Sequence, residues 1–226
     1  MNNRFIAIEG LDGSGKSTQI ALLIKYFESK NLPVRFIHFP RHNEGVFGEL
    51  ISRFLRGEFG SVDAVHPQLV ALLFAEDRKD FAVTIRQWLE EGCFVLVDRY
   101  VYSNIAFQCA KLKAWEEKEQ LARWIKNFEF EYNKIPMPDL SLYLQASFQF
   151  TKRSLEIRSA SKDRDYLKGA DDIHEQDFSL QQAVKEEYER LLLTEHLLKP
   201  IICHNADGGM RSIADIHSDI VAMIGV

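Results

Sequence analysis

An α/β fold, one five-stranded parallel sheet with helices on both faces, is predicted by three observations. Short apolar runs alternate with segments of helical periodicity along most of the 226-residue chain, and strand-helix-strand repetition builds a parallel sheet covered on both sides. The first apolar run leads directly into a glycine-rich, lysine-bearing loop, the junction at which such sheets bind phosphate. Composition is that of a globular protein, 46% apolar and 27% charged, at a length that favours one domain spanning 1–226.

The elements follow in order. Phe5 to Ile8 reads as a buried strand, and Ile20, Leu23, Ile24 and Phe27 then mark a helix from Ser17 to Ser29 by their i, i+3, i+4, i+7 spacing. Val34 to Phe39 is a second strand and Gly45 to Leu55 a second helix. A long apolar-periodic stretch from His66 to Glu90 precedes a third strand, Phe94 to Val97. Leu140 to Leu144 and Pro200 to Cys203 complete the sheet. Between them lie a helix from about Ser147 to Arg158, a polar segment to about Gln176, and a helix carrying Val184, Tyr188, Leu191 and Leu192. Ser212-Ile213-Ala214-Asp215 resembles a capping box opening a last helix with Ile213, Ile216, Ile220 and Ile224 on one side.

A formal charge of −5 argues against a nucleic-acid partner, which needs a basic surface. Cys93, Cys109 and Cys203 have neither metal spacing nor even number, so reduced core thiols are expected. With no signal-like region and no apolar run of membrane-spanning length, the expected location is the cytoplasm.

The loop Gly10-Leu11-Asp12-Gly13-Ser14-Gly15-Lys16-Ser17 fits G-x-x-x-x-G-K-[ST] in full. Glycines let backbone N–H groups converge on phosphate oxygens, and the helix N-terminus adds positive potential. Lys16 is expected to reach the terminal phosphates of ATP and Ser17 to hold Mg²⁺. At the end of the third strand, Asp98 is placed to bind Mg²⁺ or its waters and Arg99 to neutralise an acceptor phosphate; a mere ion pair at a strand end is the alternative. Ser159 to Asp177 is charged and poor in apolar residues. On composition alone it is a solvated loop. In a phosphate-binding chain it reads instead as a mobile lid, about 158–177, from which Arg158, Lys162 and Arg164 close on the transferring group. Phe74 and Arg78 share one helix face, where a ring can stack on a base and a guanidinium can donate to a carbonyl. Core packing is the bland reading for Phe74.

Three further segments give these motifs a family likeness. Phe5 to Thr18, Leu72 to Arg78 and Asp98 to Phe107 resemble, in turn, the first strand and P-loop, the thymine-binding helix and the Asp-Arg-Tyr motif of the nucleoside monophosphate kinases that act on thymidylate, and Pro138 to Leu144 also fits. The resemblance implies a P-loop three-layer sandwich that moves the γ-phosphoryl of ATP onto dTMP. ATP would be held along Gly10, Asp12, Gly13, Ser14, Gly15, Lys16, Ser17 and Thr18, with Asn205 beside the adenine or else in a plain turn. Phe74 would stack on thymine, Arg78 bond its O4, and Asn104 read the pyrimidine edge, unless Asn104 is a helix cap. Phe107 would crowd the sugar 2′ position, with ordinary core packing as its alternative, and Asp12 would meet the 3′-hydroxyl. Arg41 is implied at the acceptor phosphate, with His42 as competitor. A homodimer is implied as well, and the apolar stretch Val70 to Ala75 is compatible with it. A kinase for another deoxynucleotide or a deoxynucleoside is the nearest rival. A nucleotide-gated switch is the rival of another class; Asn133-Lys134-Ile135-Pro136 lacks the Asp of a guanine reader.

Overall fold

Strand β1 (Phe5–Glu9) forms the centre of a five-stranded sheet, because it alone is flanked by both halves of the chain. It pairs in parallel with β3 (Phe94–Asp98) on one side and β4 (Leu140–Gln145) on the other. Outside these lie β2 (Val34–His38) and β5 (Leu198–Ile202), giving the order β2-β3-β1-β4-β5. The structure is a computed structural model, and it describes residues 4–42, 44–159, 167 and 172–225. Lys162 and Arg164 fall outside the described residues, as does the side chain of Arg158.

Successive strand residues point to opposite faces, so an unbroken apolar run supplies two cores. Ile6, Ile8, Leu96, Leu142 and Leu144 pack beneath α1 (Lys16–Ser29) and α9 (Ile213–Ile224). Phe5, Ala7, Val95, Val97 and Tyr143 face the other layer. That layer holds α3 (Pro67–Glu90), α4 (Val101–Cys109), α5 (Trp115–Lys126) and α8 (Phe178–Thr194). Helices α2 (Gly45–Leu55), α6 (Phe148–Ser159) and α7 (Ile173–Gln176) lie in the connections. Caps match the sequence: Ser212 Oγ accepts from Asp215 N at 3.1 Å at the start of α9, and Asp177 accepts from Leu180 N at 3.0 Å at the start of α8.

Some expectations needed correcting. β5 begins at Leu198 and ends at Ile202, not Cys203, with Pro200 tolerated on an edge strand. Helices α4 and α5 were not anticipated. Every residue of α4 from Ser103 to Cys109 is buried, so no polar stripe marks the helix in the sequence. Asn104 sits within α4, whose N-cap is Tyr100, so it is not a cap. After α5 the chain makes a π-helical turn, Asn127–Tyr132. Val70, Ala71 and Ala75 are buried inside this chain, leaving Leu69 and Val83 exposed on α3. The three cysteines are buried and free. No described helix is long and apolar enough to cross a membrane.

Candidate active site

The loop between β1 and α1 takes the conformation its glycines permit. Gly13 has φ 74° and Gly15, the N-cap of α1, φ 93°, a region that costs other residues strain. At Gly13 proximity adds a second constraint, since a Cβ there would lie 2.9 Å from Ser154 Cβ and 3.0 Å from Thr151 O of α6. Gly15 supplies no side-chain cap, which leaves the first N–H groups of α1 open to an anion.

Lys16 Nζ donates to the carbonyls of Leu11 at 2.8 Å and Gly10 at 3.3 Å. Its burial, reinforced by the nearby Arg99 charge, pulls its pKa down to about 8 against the pull of Asp98, Asp12 and Glu9. Parallel pairing sets Asp98 opposite Ile8. Burial alone would push the Asp98 carboxyl up; Lys16 and His38, whose Nδ1 lies 3.4 Å from Asp98 Oδ2, hold it below the usual range. Asp98 Oδ1 is buried and has no hydrogen-bond partner among the described residues, and Ser17 and Thr18 are exposed at the same mouth. A hard dication that keeps several waters and needs one or two protein oxygens suits this donor set.

Arg99 occupies the left-handed region at φ 66°. Its Nη2 donates to Asp12 Oδ1 at 2.7 Å, its Nη1 to Ser103 Oγ at 3.2 Å, and its guanidinium lies 5.0 Å from the Phe107 ring centre. Ser103 in turn donates to buried Glu9 at 2.5 Å. Burial raises the Glu9 pKa, whereas Asp12 is driven well down because Arg99 and Lys16 outweigh its desolvation. Gln181 of α8 donates to Asp12 Oδ2 at 3.0 Å.

A cleft of about 920 Å³ runs from this loop past Asp98 and Arg99 to Phe74, Arg78, Asn104 and Phe107. Phe74 is half-buried and packs against Ile51, Phe54 and Leu55, so its core role and its place on the cleft wall coexist. Arg78 is almost fully buried, held by Glu129 through Nε and Nη2, each at 2.6 Å. Burial works against its charge, and Glu129 outweighs that. Phe107 stacks on His174 of α7, ring centres 5.4 Å apart, and Asp172, His174 and Glu175 line the cleft beside it. Burial keeps His174 neutral, with Lys111 adding to the effect.

Two expected residues lie elsewhere. Arg41 points away from the cleft and is bound to Asp77, with Nε to Oδ1 at 2.9 Å and backbone N to Oδ2 at 2.9 Å, while its guanidinium covers Phe81. His42, not Arg41, lines the cleft. Asn205 is exposed in a turn closed by Gly208 N to Asn205 O at 3.0 Å and does not line the cleft.

A family model, described as thymidylate kinase, matches residues 8–200. The chain belongs to the thymidylate kinase family. A probable thymidylate kinase of Pyrococcus horikoshii is 33% identical over 99% of this chain and 97% of its own length. The thymidylate kinase of Plasmodium falciparum is 30% identical over 96% of this chain and 88% of its own. The solved thymidylate kinase of Candida albicans superposes with a TM-score of 0.70 at 27% identity, covering 99% of this chain and 91% of that one. Within this thymidylate kinase fold, sequence reasoning overlooked Glu9, Glu129, His174 and Gln181. Glu9 carried a signal, being an acid inside an apolar strand. Of the other three, His174 lines the cleft, whereas Glu129 and Gln181 bond to cleft residues, Arg78 and Asn104 for one and Asp12 for the other.

Proposed function

We propose that this chain transfers the γ-phosphoryl group of ATP to the 5′-phosphate of dTMP, giving ADP and dTDP, and that it works with Mg²⁺ as a cytoplasmic homodimer. The observation that carries the reading is one continuous cleft with a phosphate loop at one end and a ring, a guanidinium and an amide at the other. An acceptor phosphate oxygen attacks the γ-phosphorus as the bond to the β–γ bridging oxygen breaks. The acceptor is already anionic, so the protein needs to position and neutralise rather than remove a proton.

In this reading the loop amides and Lys16 bind the β- and γ-phosphates, and Lys16 exchanges its two carbonyl contacts for them. Ser17 and Asp98 would hold Mg²⁺, which would supply neutralising positive charge. Arg99, locked by Asp12 and the Ser103–Glu9 pair, presents its fork to the acceptor phosphate. Phe74 stacks on thymine, and Phe107 with His174 narrows the sugar site. Arg158, Lys162 and Arg164 belong to the proposal on sequence grounds alone, as cations closing over the transfer. The exposed Leu69 and Val83 on α3 offer apolar surface to a second copy, which sedimentation would detect.

The test is a coupled ADP-release assay. ADP should appear with dTMP and Mg²⁺, fall to background without the acceptor or with EDTA, and appear much more slowly with dCMP. Equal ADP release without an acceptor would sink the transferase reading, and faster turnover of dCMP would sink the substrate assignment.

A further inference from the structure

We propose that Glu129 is a positioning residue that fixes the hydrogen-bonding polarity of the base-reading wall, and through it the choice of thymine over cytosine. The proposal rests on the reading above, in which Arg78 and Asn104 face the pyrimidine. Glu129 lies on the π-helical turn, outside the cleft lining, and is fully buried. Its Oε2 accepts from Arg78 Nε at 2.6 Å, and its Oε1 accepts from both Arg78 Nη2 at 2.6 Å and Asn104 Nδ2 at 3.0 Å.

The consequence for Asn104 is directional. Its Nδ2 carries two hydrogens, and both are used: one goes to Glu129, the other to Ala71 O at 3.0 Å. Turning the amide over would set Oδ1 against two oxygens, which Glu129 and Ala71 together forbid. Oδ1 is therefore the amide atom left for a ligand, and it is buried without a partner among the described residues. Neither bond to Glu129 uses Arg78 Nη1. The wall thus offers an acceptor from Asn104 beside a donor from Arg78. Thymine answers with N3–H and O4. Cytosine offers an acceptor at N3 and an amino group at C4, so both contacts are mismatched, and unpaired buried polar groups make such rejection large.

Glu129→Leu tests this. It removes both carboxylate oxygens, so Asn104 Nδ2 loses the acceptor that, with Ala71 O, opposes turning of the amide. The ratio of kcat/KM for dTMP to that for dCMP should fall at least about tenfold, through a raised KM for dTMP. The kcat for saturating dTMP should change less than about threefold, because Glu129 touches nothing at the phosphoryl end. A purely structural role lowers the active fraction, scales both substrates alike and leaves the ratio unchanged, which overturns the proposal. An unpaired buried Arg78 threatens folding, so circular dichroism and the active fraction of the variant are recorded alongside the ratio. In the wild type, the Asn104 side-chain amide protons should resist solvent exchange with and without dTMP; rapid exchange in the dTMP complex overturns the proposal without any variant. A wild type that turns over dCMP as well as dTMP would fail the base-reading assignment itself, an outcome visible before any variant is made.

Discussion

Lys16 shows how one side chain carries both binding and a pH limit. Its pKa of about 8 means that the cation proposed for the phosphates is lost above that pH. Because kcat/KM reports the free enzyme, kcat/KM for ATP should fall above about pH 8 by roughly tenfold per pH unit. The ATP phosphates are fully ionised by then, so a flat profile to pH 9.5 would show that Lys16 is not the group. Lys16→Met should lower kcat by about 10²–10³-fold while far-UV circular dichroism stays native. The same shift bears on stability with a definite sign. Between pH 8 and the ordinary value of 10.5 the unfolded chain binds more protons at this group than the folded one, so the Lys16 contribution to stability rises with pH there. At this scale the sequence was legible where a residue's position is fixed by its neighbours in the chain, as for Lys16, Ser17 and Asp98, which the structure brings to one cleft. Arg41 was misplaced because its direction is decided by Asp77, thirty-six positions away, which captures the guanidinium.

The phosphate loop and α6 form one unit, although Gly13 and Thr151 are 138 positions apart. Since a Cβ at position 13 would overlap both Ser154 and the Thr151 carbonyl, Gly13→Ala combines strain at φ 74° with a clash. It should destabilise the protein by about 1–3 kcal/mol and weaken ATP binding, measured by denaturant midpoint and by titration calorimetry. Ordinary stability and affinity in that variant would mean that α6 can move aside freely. Regular elements were legible wherever apolar periodicity met a cap, as in α9, which runs from Ile213 to Ile224 behind the Ser212 cap. Buried α4 escaped because a helix enclosed on all sides shows no stripe, and the π-helical turn escaped because its one buried residue is an acid, Glu129.

For the molecule as a whole, binding and folding are linked. A ligand that binds only the native state at a hundred times its Kd adds about 2.7 kcal/mol, which in a chain of this size raises Tm by roughly 5–11 °C. Scanning fluorimetry should show that rise with dTMP and a much smaller one with equal dCMP; equal shifts would contradict a base-selective cleft. The global architecture was legible because a doubly covered parallel sheet needs little beyond alternation of apolar runs and helices. The part of the cleft lined by Asp172, His174 and Glu175 was not, since these residues reach it only after the chain returns from β4.

The pairing of Ile8 with Asp98 joins the sheet to the chemistry. Side chains alternate along a strand, so sliding β3 by a single position against β1 would bring Val97 abreast of Ile8 and aim the acid at the opposite layer. A misthreaded chain could then keep its helices, its mass and much of its hydrophobic interior while having no carboxylate at the proposed metal position. Counting competent sites by titration, rather than soluble protein, is the way to see whether the ladder has closed in the right frame.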